Sequence, residues 1–158
     1  MQNNDKLSEH FCYAELTTTS FRQYDNTPSS EVLANLTLLA NETLEPVRAL
    51  LGPMHVNSGY RSIEVNTAVG GQPTSQHCQG LACDFVPIDG TFKGAVKKIL
   101  DSNIEFDQII AENWKVGGGW IHISHAPSTR PPRRSVIAIG SWTNHKYVNY
   151  DPTTAPDL

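Results

Sequence analysis

His77 and Asp84, in the stretch SQHCQGLACDF, and His122, in WIHIS, are residue types at spacings from which a catalytic zinc centre can be built. Such a centre takes three protein ligands and keeps a fourth position for water, so two histidines and an aspartate complete the set. Histidine number carries little weight by itself, because six occur in 158 residues. A lone histidine is more often a surface or satisfied core residue, and a lone aspartate more often caps a turn. His10, His55 and His145 are read in that ordinary way.

Strand parity sorts the residues further. Alternate residues of a strand share a face, so Trp120, His122 and Ser124 point one way while Ile121, Ile123 and His125 point toward the core. In LACDFV the same rule sets Asp84 opposite Leu81, Cys83 and Phe85; in FDQIIAE it groups Gln108, Ile110 and Glu112, with Asp107 on the other face. The segment Asn113 to Gly119, ending in Gly117-Gly118-Gly119, reads as a hairpin loop. It would bring Glu112 near Trp120 and diagonal to His122, a separation of roughly 7–8 Å that a glutamate can span. A carboxylate beside a zinc-bound water is a general-base candidate. Arg61, in VNSGYRS, follows a short strand and a glycine. Held at a loop, its guanidinium would clamp a substrate carboxylate or polarise the carbonyl under attack; a surface ion pair is the plain alternative.

The elements that must position these residues form an α+β pattern. Ser8 is expected to cap a short helix holding Phe11 and Leu16. From Ser30 to Leu51 the apolar positions Val32, Leu36, Leu39, Val47 and Leu50 recur at helical spacing, Pro46 kinks or divides the helix, and Gly52 stops it. Short strands are expected at Met54 to Asn57, Leu81 to Val86, Phe106 to Glu112, Trp120 to Ser124 and Val136 to Ile139. Helices are expected from Ser62 to Ala68 and Thr91 to Leu100, the latter with Phe92, Val96 and Leu100 inward, and Gly70 to Pro73 is a loop that delivers the chain to His77. These elements imply one domain over 1–158, a small antiparallel sheet flanked by helices, with 151–158 a loose tail.

Composition excludes several partners. With 39% apolar and 18% charged residues the chain can bury a core unaided by staples. The net charge of −4 and the scattered basic residues argue against nucleic acid. Arg130-Pro131-Pro132-Arg133-Arg134 reads as a solvated loop. No apolar run approaches the ~20 residues of a membrane span, and MQNNDKLSEH lacks the apolar stretch of a secretory signal. Membrane insertion is therefore not expected, and synthesis in a cytoplasm is. Cys12, Cys78 and Cys83 show no metal-knuckle spacing and read as reduced thiols.

The order SGYRS, then VN with VGG, then SQH, GLACDF and WIHIS resembles the zinc D-Ala-D-Ala carboxypeptidase and cell-wall endopeptidase family, above all its short single-domain phage members. LSEHF…AEL and NTP…NL…L…EPVRALLG extend that resemblance over nearly the whole chain. It implies the hedgehog-like peptidase fold, one zinc per chain on His77, Asp84 and His122, Arg61 supporting the transition state, and Ser75 touching substrate, although simple loop polarity explains Ser75 equally well. Many relatives carry their catalytic carboxylate three residues before the last histidine, where this chain has Gly119. Glu112 is then the base, and Trp120 either walls the cleft or packs. The implied substrate is the peptide stem of peptidoglycan, cut by a monomeric phage or prophage endolysin that a holin releases to the wall. A virion-associated wall-opening protein and a non-catalytic zinc-binding descendant are the other readings; having both Arg61 and Glu112 argues against the last.

Overall fold

A computed structural model describes residues 1–114 and 118–155. The helices are α1 (Tyr13–Thr17), α2 (Ser30–Leu39), α3 (Glu45–Leu51), α4 (Ile63–Ala68) and α5 (Phe92–Leu100). The strands are β1 (Met54–Ser58), β2 (Ala82–Pro87), β3 (Gln108–Glu112), β4 (Trp120–Ser124), β5 (Ser135–Ile139) and β6 (Val148–Asn149). They make one six-stranded sheet in the order β1-β2-β4-β3-β5-β6. Four of the five pairings are antiparallel, as expected, and β3 with β5 is parallel.

Parity separates the two faces of this sheet. Cys83, Phe85, Ile109, Ala111, Ile121 and Ile123 are fully buried or nearly so and pack in one core with α2, α3 and α5. Asp84, His122, Ile110 and Glu112 face the other way, into an open cleft. The helical layer thus supports the sheet from behind, and the chemistry-bearing side chains stand on the face it leaves free.

The long helix predicted from Ser30 is divided just before Pro46. A π-helical turn, Ala40–Leu44, joins α2 to α3, and Pro46 sits in the first turn of α3. The wider turn retards the side chains relative to an α-helix. Leu50, inward on a regular helix, is accordingly exposed, and Ala40, Leu44, Val47 and Leu51 fill the core instead. Ser29 caps α2 by accepting from Val32 N–H, and Gly52 ends α3 at φ +84°.

The first helix also differs from expectation. It begins at Tyr13, and Ser8 lies outside it, donating its hydroxyl to Glu45 at 2.7 Å. Phe11 is nonetheless buried. The carboxylate of Glu45 also accepts from the backbone of His10, which ties the N-terminal segment to α3, while Cys12 N–H donates to Glu15 at the start of α1. At the other end, residues 151–155 turn back onto α5, where Lys93 donates to Ala155 O; 156–158, like 115–117 of the expected glycine hairpin loop, lie outside the described residues.

Gly59, between β1 and Arg61, marks a close backbone approach. A Cβ there would stand 2.5 Å from Leu16 O, while Tyr60 N–H donates to that same oxygen. Gly59→Ala must push the loop off α1, an overpacking cost of about 1–3 kcal/mol. Thermal unfolding followed by circular dichroism should show a midpoint lower by roughly 2–10 °C. An unchanged midpoint would mean that the loop is free to lift.

Candidate metal centre

β2 and β4 hold two of the three predicted ligands opposite each other, Asp84 pairing with His122. His77 arrives from a short 3-10 turn, Gln76–Gln79, that leads into β2. Ser75 starts this turn by accepting His77 N–H, and Gly80 ends it at φ +72°, where a Cβ would meet Val32 O of α2 at 2.7 Å. Arg61 N–H donates to His77 O, which joins the arginine loop to the histidine turn.

The three donor atoms converge closely. His77 Nε2 lies 3.1 Å from Asp84 Oδ1, His122 Nδ1 lies 3.0 Å from the same oxygen, and the two nitrogens are 3.2 Å apart. All three side chains are buried. Donors about 2.0–2.1 Å from a tetrahedral zinc stand roughly 3.3 Å from one another, so the triangle has the size such an ion requires. Its lone pairs also have the right direction. His77 Nδ1 lies 2.6 Å from Gly59 O and so carries the proton, which leaves Nε2 as a bare acceptor facing the carboxylate. A carbonyl on the far nitrogen is the usual support of a metal-binding histidine.

Asp84 uses its second oxygen elsewhere. Oδ2 accepts from Arg61 Nη2 at 2.5 Å, and Arg61 Nε donates to Ser58 Oγ at 2.9 Å. Burial alone would raise the Asp84 pKa, but the two imidazoles, where they carry the proton that a metal would displace, supply charge and hydrogen bonds that outweigh it and hold the carboxyl well below the usual range. The group is ionised whenever a cation is offered.

Glu112 pairs directly with Trp120 and so lies diagonal to His122, the partner of Ile110. Its pKa is raised, first by burial and then by the charge of Asp84; His122, the Trp120 N–H and Arg61 pull the other way. The Trp120 Nε1 is buried and has no hydrogen-bond partner at standard distance among the described residues. A carboxyl displaced toward neutrality can both take and return a proton.

Around these groups lies a cleft of about 1100 Å³, at the upper end of what ligand sites offer. His77, Asp84, His122, Glu112, Arg61, Ser75 and Trp120 all line it. Ser75 caps the turn and also lines the cleft. His125 does not line it: its Nδ1 meets Thr43 Oγ1 at 3.0 Å behind the sheet.

One expectation needs correcting. Arg130 and Arg133 stand on an exposed loop but are not free in solvent: both guanidiniums bind Asp107, whose side chain is fully buried at the entry to β3. Parity correctly removed Asp107 from the zinc face, yet concealed that it sits under the cleft wall. Gln76, which reaches Asp107 at 3.1 Å, and Tyr147, which lines the cleft from the far side of β5, also went unread. Gln76 could have been noticed as the neighbour of His77; no local pattern marks Tyr147.

A family model described as Peptidase M15 matches residues 9–124. Over 87 residues the chain is 31% identical to a protein named zinc D-Ala-D-Ala carboxypeptidase from Streptomyces albus G. The aligned part is 54% of this chain and 34% of that relative, so the chain spans about a third of its length.

The two histidines of β4 and its end can be told apart by experiment. His122→Ala should lose zinc on dialysis against a weak chelator, whereas His125→Ala should keep about one ion per chain and alter only thermal stability through Thr43. The reverse pattern in metal analysis would refute the register of β4.

Proposed function

Because the chain belongs to the peptidase M15 family, we propose that it is a zinc-dependent peptidase that hydrolyses amide bonds in the peptide stems of peptidoglycan. The observation that carries this reading is the buried triangle of His77 Nε2, Asp84 Oδ1 and His122 Nδ1, opening on a cleft that Glu112 shares. A zinc ion held by these atoms supplies Lewis acidity and lowers the pKa of a water in the fourth position.

The protein's own groups do the rest. Glu112 takes a proton from the attacking water and returns it to the leaving amine, a cycle that its raised pKa suits. Arg61, anchored at Nε by Ser58 and at Nη2 by Asp84, keeps Nη1 without a hydrogen bond among the described residues. That edge stabilises the oxyanion as the carbonyl becomes tetrahedral. Trp120 and the buried neighbours of Glu112 limit water around the carboxyl, and Ser75 offers a hydroxyl to the bound peptide.

The finer reading is that of a phage or prophage endolysin, monomeric, reaching the wall through a holin. It rests on the resemblance of LSEHF…AEL and EPVRALLG to the short phage members. Mass spectrometry of digested muropeptides identifies the bond cut, and lysis of cells on co-expression with a holin tests the role.

Chelation should abolish release of peptide from purified sacculi, and added zinc should restore it; full activity in metal-free protein would defeat the proposal. Glu112→Gln should retain zinc while losing at least ~10² in rate. Arg61→Lys should lose activity too, since an ammonium cannot span Ser58 and Asp84 as the planar fork does. Near-normal turnover of either variant would move its role to another residue.

A further inference from the structure

Asp107 is more heavily bonded than neutralisation requires. Arg130 already grips it in bidentate fashion, Nη1 to Oδ1 at 2.6 Å and Nη2 to Oδ2 at 2.8 Å. Arg133 then adds its backbone N–H, Nε and Nη2, the last at 2.6 Å, and Gln76 Nε2 adds another donor at 3.1 Å. One carboxylate facing two guanidiniums leaves a net charge of +1.

That surplus lies at the cleft. Arg130 and Arg133 both line it, with side chains 35% and 47% exposed, and Arg133 Nη1 makes no hydrogen bond among the described residues. The wall contributed by Thr18, Thr19, Ser20 and Phe21 carries no charge, and the two acids of the cleft, Asp84 and Glu112, stand at its chemical centre. A guanidinium locked in place before binding loses little side-chain freedom when it meets an anion.

Position sets which anion can reach it. Asp107 precedes by three residues Ile110, the β3 partner of His122, which is about 10 Å at the strand rise of ~3.3 Å per residue. An extended peptide advances by a similar step. We propose that Arg130 and Arg133, held on Asp107, form a carboxylate-binding subsite that selects peptides carrying a free carboxylate within about three residues of the bond cut. The proposal rests on the peptidase reading for its choice of a peptide ligand. It adds to that reading a determinant of which peptides are accepted.

The test uses zinc-loaded protein with Glu112→Gln to prevent turnover, and calorimetric titration with a stem peptide in three forms. One form is the free acid, the second a C-terminal carboxamide, and the third carries glutamine in place of its internal glutamate; the second and third distinguish the two sources of carboxylate. One of the two amidations should weaken binding about tenfold, the scale of a charge-assisted hydrogen bond. Adding Arg133→Gln, which leaves the Arg130 pair to cover Asp107, should remove that preference by weakening the acid form alone. Equal binding of all three forms would overturn the subsite, a result that needs no arginine variant to fold. So would a preference that survives Arg133→Gln with zinc retained. Hydrolysis by the unmodified enzyme without acid preference would sink the subsite and spare the peptidase; acid preference without hydrolysis of any form would do the reverse.

Discussion

Asp84 joins the parts of this site that the chain brings from different places. One of its oxygens faces His77 and His122, and the other holds Arg61. A carboxylate buried this deeply is tolerable only when cations and donors surround it, and removing one partner leaves an uncompensated charge. The loop after β1, the turn before β2 and the strand β4 are therefore constrained by a single side chain. Gly59 completes the constraint, its carbonyl orienting His77 and its missing side chain letting the loop lie on Leu16.

The sheet makes that concentration of charge affordable. Its rear face is apolar and sealed by α2, α3 and α5, and its front face carries acids and imidazoles beside open solvent. Because neighbouring residues of one strand alternate between these environments, Asp84 sits between Cys83 and Phe85, and His122 between Ile121 and Ile123, all four of them fully buried. The apolar neighbours anchor the backbone that aims the ligands. Burial raises the Cys83 thiol well above its ordinary range and keeps it inert beside the metal ligands.

Charge is graded along the same cleft. The centre holds Asp84 and Glu112, and the entry to β3 presents two arginines on a buried aspartate. Both carboxylates, Asp84 and Asp107, are stabilised as anions by partners from distant segments. Asp107 faces two guanidiniums where Asp84 faces one. The cleft therefore offers a peptide a proton-exchanging middle and a cationic flank.

Local pattern determined much of this protein. Period-two alternation in LACDFV, FDQIIAE and WIHIS was enough to assign Asp84, Glu112 and His122 to one face and His125 to the other, because alternation is a property of the strand itself. The stop at Gly52 and the existence of five strands were legible for the same reason. Contacts between segments far apart in sequence were not. The parallel partnership of β3 with β5 depends on which strands meet, and the tie of Ser8 to Glu45 on a separation of 37 residues. Arg130 and Arg133 looked like a solvated, proline-broken run, since nothing within a few residues accepts their charge. Their acceptor is Asp107, more than twenty residues away, and only the folded chain lowers a carboxylate into the position where two guanidiniums must follow it.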